Sequence, residues 1–207
     1  MEVDRPAPGE ELNEGPETPA RVAASVIVLR DSDAGPEVLL VQRNPAQRFM
    51  GGAWVFPGGA VHGEESPAEA GLRELEEEAA LRLDNGAGSL VPFSRWITPA
   101  EVKVRFDTFF YVVESPDGAD PKPDGQECVG LVWKRPADAL DDYARGELNL
   151  VFPTIKHLEQ LTTEPTVAAT IDAARAREVT PVQPRIVVGE DGARVLLPGE
   201  PGFDDAA

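Results

Sequence analysis

Glu74, Glu77 and Glu78 fall at i, i+3 and i+4 within RELEEEAAL, a stretch with strong helical character. On a helical wheel Glu77 and Glu78 lie about 60° and about 40° to either side of Glu74, so three carboxylates share one face. Ala68, Leu72, Leu75 and Ala79 form a separate apolar face suited to packing on a sheet, and Glu76 points elsewhere as a solvated bystander. Like charges at these spacings destabilise a helix by a few tenths of a kcal/mol per pair. A cluster bordering a groove is therefore better explained by a cation that needs it. Hard divalent ions such as Mg2+ take carboxylate oxygens together with substrate phosphates and water. A charge run on an arbitrary helix is ordinarily a solvated face. Two neighbours set this one apart. Pro57-Gly58-Gly59 is a loop that lets backbone approach a ligand closely, and Glu65 precedes the run at a spacing that lets Arg73 pair with it at the helix entrance.

The elements that must position these groups are legible from pattern. Ser66 can cap a helix running from Pro67 towards Leu83, with Pro67 at its first position and Glu69 completing an S-x-x-E capping box; Asp84-Asn85-Gly86 ends it. Ahead of it, Val22–Leu29 is a continuous apolar, β-branched run that reads as a buried strand, Glu37–Arg43 as its hairpin partner and Trp54–Phe56 as a brief strand. Beyond it, strands are expected near Leu90–Phe93, Arg105–Val113 and Glu127–Trp133, with an exposed loop over 115–125. Helices are expected over Pro153–Leu161 and Thr166–Glu178, followed by a hairpin in RIVVGEDGARVLL that turns near Asp191-Gly192. Strands mixed with helices, without regular βαβ alternation, predict an α+β sandwich with a mixed sheet.

The chain has 207 residues, of which 42% are hydrophobic and 27% charged, as in a globular protein. Residues 1–20 hold four Pro, two Gly and six acidic side chains, and read as a disordered acidic tail. We divide the remainder into a domain over 21–164 and a C-terminal helix-and-hairpin extension over 165–207. With 19 Lys and Arg against 37 Asp and Glu, the formal charge is −18. Such a surface repels polyphosphates and anionic bilayers at long range, which argues against nucleic-acid or membrane partners. It leaves room for a small anionic substrate, because a bound cation reverses the local field. The lone cysteine, Cys128, excludes an internal disulfide framework, and its expected place is a buried strand. The N-terminus lacks the features of a signal peptide and no apolar run would span a bilayer, so a cytoplasmic location is expected.

Gly59, Glu65 and Arg73-Glu74-Leu75-Glu76-Glu77-Glu78-Ala79-Ala80-Leu81 together resemble the Nudix box, Gx5Ex7REUxEExGU, where U is a bulky aliphatic residue. Residue type and spacing agree at every specified position but one: Ala80 stands where the pattern has Gly. As a helix position this is a small-for-small change, and Ala is the better helix former. The resemblance implies an α/β/α sandwich with a central mixed sheet, hydrolysing a nucleoside diphosphate linked to another group with Mg2+ or Mn2+. It implies that Glu74, Glu77 and Glu78 are metal ligands, that Glu77 and Glu78 belong to the catalytic set, and that Glu65 and Arg73 are structural and orienting. A further carboxylate is expected downstream as ligand or base. Glu127, at the start of a strand leading to Trp133, is the first choice and Asp124 the competitor.

The segments Leu39–Gly59, Trp96–Pro99, Arg105–Phe110 and Phe152–Thr154 resemble the coenzyme A diphosphatase-related branch of Nudix proteins. That likeness implies coenzyme A or acyl-CoA as substrate, with Arg43, Arg48, Gly58 and Gly59 binding it. Arginine suits the role through bidentate pairing with phosphate. ADP-ribose or a nucleoside diphosphate sugar is the enzymatic alternative, and a non-catalytic nucleotide sensor the other. Phe49 and Trp54 could stack on a base or pack the core; Arg105 could reach the groove or face solvent. His62 and His157 read as surface or satisfied core histidines, His62 with a substrate contact open. The expected partner is a small-molecule nucleotide, and a homodimer is compatible with the sequence.

Overall fold

The computed structural model describes residues 11–13, 15–189 and 192–204. Its centre is strand β1 (Arg21–Ser32), in which Ala23 to Leu29 are all buried. The run is apolar throughout because both faces are covered. Val26 and Val28 point into one core cluster with Leu75 and Ala79, whereas Ile27 and Leu29 point into another with Ile155, Leu158, Val167 and Ile171. Alternation along a strand thus feeds two layers from one continuous run.

Strand β2 (Gly35–Arg43) returns antiparallel to β1 across a tight turn at which Gly35 has φ +111°. Next come β3 (Trp54–Val55) and β4 (Gly58–Ala60), the latter pairing with β1, then helix α1 (Pro67–Ala79) and β5 (Val91–Ile97). Strand β6 (Phe106–Glu114) lies parallel to β1 and antiparallel to β5, and β7 (Cys128–Lys134) lies antiparallel to β2. Helices α2 (Pro136–Ala144), α3 (Phe152–Leu161) and α4 (Val167–Ala176) follow, then β8 (Pro181–Val182) and a separate hairpin of β9 (Arg185–Gly189) and β10 (Gly192–Leu196). The result is an α+β sandwich: an eight-stranded mixed sheet with α1 over one face and apolar residues of α2, α3 and α4 in the core of the other. No helix among the described residues is long and apolar enough to cross a membrane.

Beyond the expected elements the fold adds α2, β4 and β8. The turn expected at Asp191-Gly192 lies partly outside the described residues, although Gly192 pairs with Gly189. Helix α4, assigned by sequence to the C-terminal extension, contributes Val167, Ile171 and Ala174 to the main core. Of the segment expected to lack order, residues 1–10 and 14 are outside the description, while Leu12 forms a bridge with Val102. Arg105 neither lines the groove nor faces solvent. It is 4% exposed, pairs with Glu17 and donates to the Thr98 carbonyl at 3.1 Å, tying the chain's start to the sheet.

The capping box forms as the spacing requires: Ser66 Oγ accepts from the Glu69 N–H, and Glu69 Oε2 accepts from the Ser66 N–H at 2.7 Å. The other end of α1 differs from expectation. The helix stops at Ala79, and Ala80 adopts the left-handed conformation, φ 52° and ψ 30°. Ala80 is therefore no helix-interior residue, and its helix propensity is irrelevant. A Cβ in this conformation costs roughly 1–2 kcal/mol, which glycine avoids. Ala80→Gly is expected to stabilise the protein by about 0.5–1 kcal/mol after the extra chain entropy of glycine is offset, read as a rise of roughly 1–4 °C in melting temperature.

Candidate active site

The register of the sheet decides where the box residues stand. Ser25 opposes Gly58 and Ala24 opposes Gly59, which threads β4 between β1 and the acidic face of α1. There is no room for a side chain: a Cβ on Gly58 would lie 2.4 Å from the Ala24 carbonyl oxygen, and one on Gly59 would lie 2.2 Å from Glu74 Oε1. Both glycines are required by close approach. Gly71 is a milder case on the helix, where a Cβ would meet a methyl of Val26 at 3.0 Å.

Arg73 organises the carboxylates. Its Nη2 donates to Glu65 Oε1 at 2.8 Å and to the Ala60 carbonyl at 3.0 Å, and its Nε to Glu65 Oε2 at 3.2 Å. Its Nη1 donates to Glu74 Oε1 at 2.7 Å and to Glu77 Oε2 at 3.0 Å. Glu65 also accepts from the His62 N–H at 2.5 Å, and these bonds, that from Arg73 foremost, hold its carboxyl at about 2. Glu74 is 8% and Glu78 3% exposed. Burial raises the pKa of Glu74, and it pushes Glu78 up to about 7 against the pull of the Gly58 N–H, which donates to Glu78 Oε2 at 2.9 Å. The buried Cys128 thiol hydrogen-bonds Glu78 as well; burial and that carboxylate raise its own pKa, so it is a poor nucleophile.

Glu74, Glu77, Arg43, Gly58, Gly59, His62 and Glu127 line one cleft of about 1440 Å3. Glu127 stands close enough to Glu74 for its charge to raise the Glu74 pKa. The competitor Asp124 is engaged otherwise. It accepts the N–H groups of Gln126, Glu127 and Cys128 at 3.1, 2.9 and 2.7 Å, and these outweigh the opposing effect of burial to lower its pKa. Asp124 shapes the turn that presents Glu127. The two arginines also separate. Arg43 lines the cleft, whereas Arg48 is not among its lining residues and extends, 90% exposed, to Glu11 at 3.4 Å. Phe49 lines the cleft, while Trp54 packs on the core. His157 is fully buried, with Nε2 2.6 Å from Ser94 Oγ and rings of Phe56, Phe93, Trp96 and Phe110 around it; burial drives its pKa down to about 3. It is a neutral core histidine. Sequence reasoning missed Arg21, Phe106 and Phe110 as cleft residues; the aromatic content of RFDTFF was the available signal.

Among the described residues no three acidic, histidine or cysteine side chains already stand as a coordination sphere. Arg73 draws on Glu74 and Glu77, and Gly58 on Glu78. The donor set nonetheless suits a hard divalent ion. It offers carboxylate oxygens only, two of the groups are buried at a cost in their charged forms, and the Glu74 carboxylate occupies the space a Cβ at Gly59 would need. Glu74 and Glu77 would hold such an ion by exchanging their shared Arg73 Nη1, while Arg73 keeps Glu65 and Ala60 through its other nitrogens.

A family model described as the NUDIX domain matches residues 19–153. The m7GpppN-mRNA hydrolase NUDT17 of Bos taurus is 40% identical over 70 residues, 34% of this chain and 22% of that protein. An 8-oxo-dGTP diphosphatase of Proteus vulgaris is 43% identical over 60 residues, 29% of this chain and 49% of that protein. The chain thus spans at most about half the length of these relatives. A NUDIX hydrolase structure from Alicyclobacillus acidocaldarius superposes with a TM-score of 0.65 at 26% identity, covering 75% of this chain and 96% of that one.

The raised pKa of Glu78 fixes the sign of a pH effect on the metal-free protein. A folded carboxyl near 7 against about 4.5 unfolded binds more protons in the native state between those values. Its stabilisation, on the order of 3 kcal/mol, is complete below pH 4.5 and is lost as the pH rises through 7. Glu78→Gln is expected to remove this dependence and to raise the melting temperature above pH 7, in melts recorded from pH 5 to 9 with a chelator present.

Proposed function

Because this chain belongs to the NUDIX domain family, hydrolases acting on phosphoanhydride bonds, we propose that it is a divalent-metal-dependent pyrophosphohydrolase of a nucleoside-diphosphate-linked substrate, foremost coenzyme A or an acyl-CoA. The observation that carries this reading is the meeting of Glu74, Glu77 and Glu127 with Arg43 in one cleft, beside two glycines that admit no side chain. Glu74 and Glu77, which line the cleft, would hold Mg2+ or Mn2+ together with Glu78, whose carboxylate lies buried behind them on the Gly58 N–H. The ion, when bound, neutralises the diphosphate, acidifies a water and stabilises the leaving oxygen. Glu127, across the cleft from α1, accepts the proton of the attacking water. The Arg43 guanidinium holds a non-reacting phosphate oxygen, and the Gly58–Gly59 backbone lets the diphosphate approach the acidic face. Glu65 and Arg73 orient the helix entrance and touch no reacting atom. Water adds to one phosphorus, the bridging oxygen leaves with the other, and two phosphomonoesters result.

The coenzyme A assignment is supported by the likeness over Leu39–Gly59, by the position of Arg43, and by a cleft larger than the roughly 300–1,000 Å3 usual for small ligands. Arg48, on the surface, adds nothing to it. The intact acidic trio speaks against a pure nucleotide sensor, which has no need of it.

The test compares kcat/KM of the full chain, with Mg2+ or Mn2+, on coenzyme A, an acyl-CoA, ADP-ribose, NADH and 8-oxo-dGTP. A preference of at least tenfold for the coenzyme A forms is expected. Similar slow rates on all five sink that substrate, and a preference for ADP-ribose moves the assignment there. Glu77, being exposed, can be changed without unfolding the chain. Glu77→Gln is expected to lower kcat by more than about 100-fold at an unchanged melting temperature.

A further inference from the structure

The cleft does not end where the family match ends. The match stops at residue 153, yet Pro184, Ile186 and Val195 also line the cavity. Ile186 and Val195 are a directly opposed pair across the β9–β10 hairpin, so they share one face of it, and Ile186 is 8% exposed. The hairpin is tied to the domain by the Ile186 N–H, which donates to Glu101 Oε2 at 3.3 Å, while Arg185 Nη1 donates to the Phe203 carbonyl at 2.8 Å and so folds the chain's following residues back on the hairpin. The Glu101 loop in turn leads into Phe106, the first residue of β6. Phe106 has the Phe49 ring at a centroid distance of 5.8 Å and the Arg21 guanidinium over its face at 4.8 Å.

The register gives the distance of this apolar end from the acidic site. Phe106 opposes Arg21, and Gly59, which has the Glu74 carboxylate against it, opposes Ala24. Three residues of β1 separate the two positions, about 10 Å along an extended strand. One end of the cleft therefore carries Glu74, Glu77 and Arg43, and the other, farther off than a diphosphate is long, is walled by Phe49, Phe106, Ile186 and Val195, with the Arg21 guanidinium stacked on the Phe106 face. Ile186 is buried and Val195 half-buried at this wall, a surface that favours an apolar occupant over a hydrated one.

We propose that the β9–β10 hairpin builds an apolar subsite that receives an alkyl or acyl tail carried by the group linked to the diphosphate. The proposal rests on the reading of the acidic site as a diphosphate hydrolase. Ile186 and Val195 are specificity residues here, and the C-terminal segment is part of the substrate wall.

A homologous series tests it: adenosine diphosphate esterified on its terminal phosphate with ethyl, octyl or dodecyl chains, offered to the full chain with Mn2+. The octyl ester is expected to exceed the ethyl ester at least tenfold in kcat/KM, chiefly through KM. In Ile186→Asp and Val195→Asp the octyl-to-ethyl ratio is expected to fall within twofold of unity; Ile186→Ala, with a partial fall, serves if either Asp variant melts early. A flat series in the unaltered protein overturns the proposal, and so does a ratio retained in all variants. If no ester is hydrolysed, the reading of the acidic site fails instead. The subsite is then decided by binding in chelator, followed through the fluorescence of Trp96, which lines the cleft: octyl must bind at least tenfold tighter than ethyl and lose that advantage in Ile186→Asp.

Discussion

The bidentate pairing of Arg73 with Glu65, and its single-nitrogen grip on Glu74 and Glu77, is the interaction on which the rest depends. Five carboxylates, those of Glu65, Glu74, Glu77, Glu78 and Glu127, lie near one another in a protein that already carries a charge of −18, and two of them, Glu74 and Glu78, are buried. Burying such groups without compensation is costly, and removing one partner of a buried pair is costlier than never having it. Arg73 meets this with all three guanidinium nitrogens, in the planar geometry that a lysine lacks. The compensation is incomplete by construction. Glu78 keeps a carboxyl near 7 because burial outweighs the Gly58 N–H and the charge of Arg43, and Glu74 remains raised by burial despite its bond to Arg73. The site thus holds an unmet demand for positive charge, the property expected of a place that receives a divalent ion.

Close approach is the second constraint. The acidic face can border β4 only because Gly58 and Gly59 lack side chains, Gly71 lets α1 sit close on Val26 of β1, and β1 can lie between α1 and the other helices because its alternate residues are apolar on both faces. Glycine is used where space demands it. At Ala80, where backbone conformation favours glycine, the chain does without it and accepts strain at an exposed helix end. The two situations are physically distinct: a clash at Gly59 would displace a proposed ligand, whereas strain at Ala80 touches only stability.

The cleft joins elements that are remote in the chain. Arg43 comes from β2, the acidic trio from α1, Glu127 from the turn capped by Asp124, and the apolar end from β6 and the hairpin. Polar recognition and apolar volume are therefore set by different segments. A family can keep the first while the second varies, and the first lies within the matched 19–153.

What the amino-acid order alone determined is whatever rests on neighbours within about one helical turn or one strand. The capping box at Ser66 and Glu69, the shared face of Glu74, Glu77 and Glu78, and the buried character of Ala23–Leu29 follow from periods of 3.6 and 2, although Val22, the first residue of the expected run, is exposed. Helix α2 escaped because Asp142, at one of its buried positions, is a charged residue matched by Lys134 and Arg145, which hides the apolar stripe. Tertiary structure alone decided which arginine meets the cleft, that Arg105 is an internal anchor for Glu17, that Asp124 is consumed by backbone N–H groups, and that Ala80 lies past the helix end. Each of these depends on strand register, on burial, or on where a chain reverses, and those are settled by contacts between residues that the sequence holds far apart.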